Sequence, residues 1–186
     1  MDSIGPVMRN PLMRADQGRY VDAEQLERQA LAMRQKFTGE EGPDVAASLI
    51  NLALVRSLQR DPASAETLLK QALEIRQKEL SAGHPAIIST EVRLGEMLID
   101  EGKIAEAETL LRKAVGDIHA VPFPLTSWQV AEAEIALGCA LAKNAHSAEG
   151  ERLLHDPEAR LKGYPEAALH QQILHRAEAS KKRLTS

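Results

Sequence analysis

A ladder of like residues spaced 42 apart runs through this chain and limits its fold more than any other feature. Ala23-Glu24, Ala65-Glu66 and Ala107-Glu108 share the offset, as do Leu26, Leu68 and Leu110, and Ala30, Ala72 and Ala114. Arg28, Lys70 and Arg112 keep the register, and Pro43 with Pro85 and Gly18 with Gly102 repeat it in the connectors. A degraded fourth copy follows with one residue inserted, where the run from Ala148 to Leu154 echoes that from Ala105 to Leu111. A period of this length belongs to solenoids, in which one unit exposes an apolar face that only the next unit can bury.

Each unit reads as two helices. Leu49, Leu52, Ala53, Val55 and Leu58 form one apolar stripe at three- and four-residue spacings. Ala65, Leu68, Leu69, Ala72, Leu73 and Ile75 form a second, with Gln71, Glu74, Gln77 and Lys78 on its wetter side. Asp61-Pro62 between them reads as an N-cap followed by a first-turn proline. Gly102, one repeat later, suits the left-handed conformation that ends a helix. Aromatics make up only 3% of the chain, so the core must be built from Leu, Ala, Ile and Val. The recurrent alanines, Ala65 and Ala72 among them, let neighbouring helices approach closely. The repeated glutamates read first as solvated-face residues.

The run Asn51-Leu52-Ala53, the turn near position 60, Ala65-Glu66 and Gln71-Ala72-Leu73-Glu74-Ile75 together resemble a tetratricopeptide-repeat (TPR) unit. The 42-residue spacing and the Gly83-His84-Pro85 connector resemble the longer variety found in kinesin light chains and many bacterial arrays. The resemblance spans residues 10 to 155. It implies an all-α, right-handed superhelix of stacked antiparallel helix pairs. Within a single domain of residues 1–186, the units expected are a partial first repeat at 10–43, then 44–84, 85–127 and a degraded last repeat at 128–162. Residues 163–186 form a C-terminal capping helix. Trp128-Gln129-Val130-Ala131-Glu132 with Leu137-Gly138-Cys139-Ala140-Leu141 also resembles the last repeats of some bacterial serine/threonine kinases with a C-terminal TPR region, although no kinase motif is present.

TPR units present the first helix of each pair to a concave groove. By resemblance this places Ala47, Ile50, Asn51, Leu54 and Ser57 in the groove, then Ser89, Val92, Arg93, Glu96 and Asp100, then Glu132, Ile135, Cys139 and Lys143. Asn51 matches an asparagine that in this family often holds a ligand's backbone, since its amide both donates and accepts. The alternative is a bond to a neighbouring helix. Arg93 is placed to clamp a carboxylate bidentately, or to pair with Glu96 on its own helix. Cys139 reads equally as a small buried residue at a helix contact.

Both ends depart from the pattern. Repeat one keeps only a stub of its first helix, Pro11 to Gln17, with Asn10 as a plausible cap. Leu12, Met13, Leu31 and Met33 then lack cover, unless Ile4, Val7 and Met8 fold back or two chains meet there as a homodimer. Asp156-Pro157 interrupts the last repeat, because proline inside a helix costs about 3 kcal/mol, so a kink or restart is expected there. Pro165 to Leu184 reads as a terminal helix with Ala168, Leu169, Ile173, Leu174 and Ala177 on its apolar side.

The implied function is a non-catalytic scaffold whose partner is a protein or peptide segment. The alternatives are self-association or a regulatory TPR region of a kinase. A net charge of −4 argues against a general nucleic-acid binder. No apolar run approaches membrane-spanning length. One cysteine and no signal-peptide pattern suit a cytoplasmic protein. His170 and His175 lie five apart, off the i, i+4 register of a metal pair, and no catalytic or cofactor motif is found.

Overall fold

Local chemistry starts and stops the helices where the repeat predicts. The computed structural model describes residues 20–120, 127–144, 147–162 and 167–184. Within them lie α1 (Tyr20–Thr38), α2 (Pro43–Leu58), α3 (Pro62–Glu79), α4 (Pro85–Asp100) and α5 (Ile104–Ala120). Then come α6 (Ser127–Lys143), α7 (Ser147–Leu153), the short α8 (Pro157–Arg160) and α9 (Ala167–Leu184). Asp61 caps α3, accepting a hydrogen bond from the Ser64 amide at 3.2 Å, and His84 caps α4 through Nδ1, from Ala86 at 3.1 Å. Proline follows both caps at the first turn. Gly102 takes the left-handed conformation at φ +79°, and Arg60, its counterpart one repeat earlier, takes it at +64°. Asp156-Pro157 does restart the chain: α7 ends at Leu153, and Asp156 caps α8 through a 3.3 Å bond from Ala159. The stub expected at Pro11 to Gln17, with Asn10, Leu12, Met13 and the N-terminal apolar residues, lies outside the described residues.

From α1 to α7 each helix packs on the one before it, giving an all-α solenoid. Its core is the aliphatic set that the low aromatic content required. Leu69, Leu111 and Leu154, one per repeat at the same register, are almost completely buried. Opposite two of them stand glycines. A Cβ on Gly95 would lie 2.6 Å from the Leu111 side chain, and one on Gly138 2.9 Å from that of Leu154. Both glycines therefore permit the close approach of paired helices.

The seams between repeats carry polar contacts that recur with the period. Arg34 of α1 donates to the Asp44 carbonyl at 3.5 Å and to the Ser48 hydroxyl. Arg76 of α3, 42 residues on, donates to the Ala86 carbonyl at 2.6 Å and the Thr90 hydroxyl at 2.5 Å. Each arginine thus ties its helix to the first turn of the next repeat.

The glutamates of the ladder correct the solvated-face expectation. Glu24 accepts from Arg56 at 2.7 Å and Gln59 at 3.2 Å, Glu66 from Lys103 at 2.7 Å, and Glu108 from Asn144 at 2.6 Å. All three receive groups from the far end of the following repeat's first helix, and Glu66 is buried. Burial pushes the Glu66 carboxyl up, but the ammonium groups of Lys103 and Lys70 outweigh it and hold the group down at about 2. Among the described residues no helix is long and apolar enough to cross a membrane.

Candidate functional site

The first helices of the pairs, α2, α4 and α6, align their inward residues along one face, and α9 lies on that face. It packs mainly on α6, with further contact to α7 and α8, so it covers the last repeat. It also reaches further. Arg176 of α9 donates to Glu96 at 2.9 Å and to both oxygens of Asp100, at 3.1 Å from Nε and 2.8 Å from Nη2. Gln172 donates to the Ser57 carbonyl at 3.4 Å and accepts from the Ser57 hydroxyl at 3.4 Å. The Ser180 side chain lies beside the Cys139 thiol. One helix therefore touches α2, α4 and α6 in succession. Ile173 and Ala177 supply its buried apolar side, and about 10 Å3 of space remains between it and the wall formed by Ala53, Leu54, Arg93 and Met97.

This arrangement sorts the sequence-predicted groove residues into three groups. Leu54, Ser57, Glu96, Asp100 and Cys139 lie beneath or beside α9. Lys143 and Asp100 edge a cleft of about 610 Å3 that runs along the side of α9, with Arg60 and Pro62 opposite His175. Ser89, Arg93 and Glu132 line a cavity of about 120 Å3 walled by Ile88, Val92, Ile118 and Trp128, and Arg93 also faces α9. Of the remaining predicted residues, Ile50 and Ile135 are buried in the core and Ala47 is half-buried.

The charged members are coupled across helices. Arg93 approaches Glu132 of α6 at 3.9 Å, an ion pair that spans two repeats, and it also attracts Glu96 on its own helix. Asn51 donates to Glu27 of α1 at 3.0 Å, which is the neighbouring-helix alternative. Glu27 stands in the register of Leu69 and Leu111. It is buried, and Asn51 together with Arg34, 3.6 Å away, satisfies it. Burial pushes the Glu96 carboxyl up to about 7, with Glu132 and Asp100 adding to the rise against the pull of Arg176 and Arg93. Burial likewise pushes the Cys139 thiol up to about 11, which makes it a poor nucleophile.

Sequence reasoning found the apolar stripe of α9 but missed Arg176, Gln172 and Ser180. A signal was present: Arg176 and Ser180 fall three and seven residues after Ile173, inside the apolar stripe, where a cation needs a buried partner. Glu27 was legible in the same way, as a carboxylate standing in a leucine register.

Residues 12–78 match the family model for the tetratricopeptide repeat. The fold is a TPR stack. Two solved structures of a Podosopora anserina protein, described as a kinesin light chain with nearly identical TPR-like repeats, resemble it over most of its length. One superposes with a TM-score of 0.69 at 24% identity, covering 93% of this chain and 84% of that one. The other has a TM-score of 0.68 at 21% identity, covering 95% of this chain and 98% of that one. BtubC (BKLC) from P. vanneervenii gives a TM-score of 0.68 at 20% identity over 83% of this chain and 63% of its own length. No curated protein matches the sequence. TPR stacks in general serve as non-catalytic protein–protein interaction scaffolds.

Proposed function

We propose that this TPR stack is a non-catalytic scaffold that holds a segment of another protein on the face formed by α2, α4 and α6. The observation that carries this reading is α9 itself. That face already seats an amphipathic helix, clamping Arg176 between Glu96 and Asp100. Ser89, Glu132 and Trp128 line a cavity that continues the same face past Arg93. There, an apolar side chain would fill the cavity while the Arg93–Glu132 pair meets polar backbone.

A photo-crosslinking residue at Ser89 tests the reading. It captures a protein segment that maps to one contiguous peptide, whereas the same residue at exposed Glu106 on the outer helix α5 captures none. Equal capture at both positions, or none at either, rejects it.

A second reading is favoured by a separate observation. Val21, Met33 and Phe37 of α1 are exposed, Phe37 at 80%. Large apolar groups left in water at the end of a stack suit contact with a second copy. Light scattering of the intact chain decides this: a dimer that Phe37→Glu dissociates supports it, and a monomer at high concentration removes it.

A further inference from the structure

The contacts that hold α9 differ in kind from those that hold the stack. Beneath α9 two carboxylates, Glu96 and Asp100, converge on a single guanidinium, and a third, Glu132, is shared with Arg93. The floor of the groove is thus acidic where the seated helix is basic. Among the described side chains of α9, Ile173 and Ala177 are buried, and Leu174 and Leu184 pack half-buried against the core. Both bonds between Gln172 and Ser57 are long, at 3.4 Å. The seat is also wider than its occupant, since the cleft of about 610 Å3 follows one flank of α9 and exposes Asp100 at its edge. An incoming chain therefore meets a carboxylate before α9 has to move.

We propose that the groove is a receptor for a basic amphipathic helix of a partner protein, and that α9 occupies it in cis as that helix's competitor. This rests on reading the α2, α4 and α6 face as the binding surface. The partner helix carries a cation in the place of Arg176, a branched apolar residue three positions before it, and small residues one and four positions after it. Those are the positions of Ile173, Ala177 and Ser180. The cation meets Glu96 and Asp100, and the small residues allow the helix axis to approach α6. Residues 165–186 have this character, with Arg176, Lys181, Lys182 and Arg183 set against Glu166 and Glu178.

The test uses the intact chain and a fluorescent synthetic peptide of residues 165–186 as the probe. Cys139 is the chain's one cysteine and Ser180 lies beside it, so Ser180→Cys is the variant in which a disulfide, checked by thiol titration, pins α9 in its seat on oxidation and frees it on reduction. The probe is expected to bind the reduced Ser180→Cys chain at least about tenfold more tightly than the oxidised one, a difference of about 1.4 kcal/mol. It is expected to bind Arg176→Glu chain more tightly than wild type, because the cis helix is then repelled by the acidic floor. A probe carrying the Arg176→Glu change is expected not to bind. Equal binding to the oxidised and reduced protein places the probe elsewhere and overturns the proposal. No binding to reduced protein also overturns it, by making α9 a permanent part of the fold. That redox comparison within one protein stands even if Arg176→Glu fails to fold. A dimer of the intact chain that the probe dissolves identifies the occupant as a second copy's α9 and overturns the assignment to a different partner. Capture at Ser89 together with equal probe binding to oxidised and reduced protein leaves the scaffold reading intact while the displacement fails.

Discussion

The seams between repeats and the seat of α9 are both helix contacts, yet they are built on opposite principles. Within the stack, leucines and alanines are buried, and glycine faces leucine inside the repeats. The polar groups there recur every 42 residues as arginine-to-first-turn ties and glutamate bridges. At the seat, one arginine, one glutamine and one serine make contacts that occur once. A repeated contact is summed over the array, so the loss of one is shared by its neighbours. A contact made once stands or falls alone, and for that reason its loss can release a helix without unfolding the stack.

Cutting into the core of the stack should have the largest effect. Leu111→Ala empties a fully buried site between α4 and α5 and should cost about 2–5 kcal/mol in global stability, read from a urea transition. Gly95→Ala probes the same contact from the other side. Its Cβ falls 2.6 Å from Leu111, which has no free space to move into, so a loss of about 1–3 kcal/mol is expected in the same measurement. A neutral result for Gly95→Ala would show that the α4–α5 contact is looser than its geometry.

Arg176→Ala should act differently. Removing one partner of a buried ion pair ordinarily costs about 3–5 kcal/mol, because a charge is left without compensation. Here α9 can leave and let water reach Glu96, so the global cost is capped by the free energy that seats the helix. Hydrogen exchange of the α9 amides should quicken by about tenfold or more, the worth of about one charge-assisted hydrogen bond, while α2 to α5 keep their protection. Exchange that quickens equally in α4 would mean that seat and stack form one cooperative unit.

The two regions should also respond to pH with opposite sign. Glu66 is held down at about 2 in the folded seam against an ordinary 4.5. Its stabilisation is present above 4.5 and is lost as pH falls toward 2, so the melting temperature should drop between pH 5 and pH 3. Glu96 is raised from 4.5 to about 7 beneath α9, facing Arg176, Arg93, Asp100 and Glu132. Its contribution is complete below 4.5 and is lost as pH rises through 7, so α9 protection, corrected for intrinsic exchange, should be lower at pH 8 than at pH 6. Glu96→Gln should flatten that second dependence and leave the first unchanged. The smallest effect expected is a gain. Arg60→Gly removes a left-handed non-glycine residue at the position where Gly102 stands one repeat later, and should raise stability by up to about 1 kcal/mol in thermal melts.

Sequence alone determined the all-α class, the period, the turn chemistry and the stripes that become the core. The reason is physical: each is a local pattern, and repetition multiplies a local pattern until it stands clear of chance. It placed Asp61, Pro62 and Gly102 at helix ends, and it set the restart at Asp156-Pro157. Only the tertiary structure decided what the polar residues do. Glu66 reads as a surface residue until the next repeat buries it. Asn51 suits a ligand's backbone until Glu27 claims its amide. Ser57, Glu96 and Cys139 fall on one face by periodicity. That the chain's own last helix lies across them depends on contacts such as that between Ser57 and Gln172, 115 residues apart. No spacing rule encodes a contact of that range when it occurs only once.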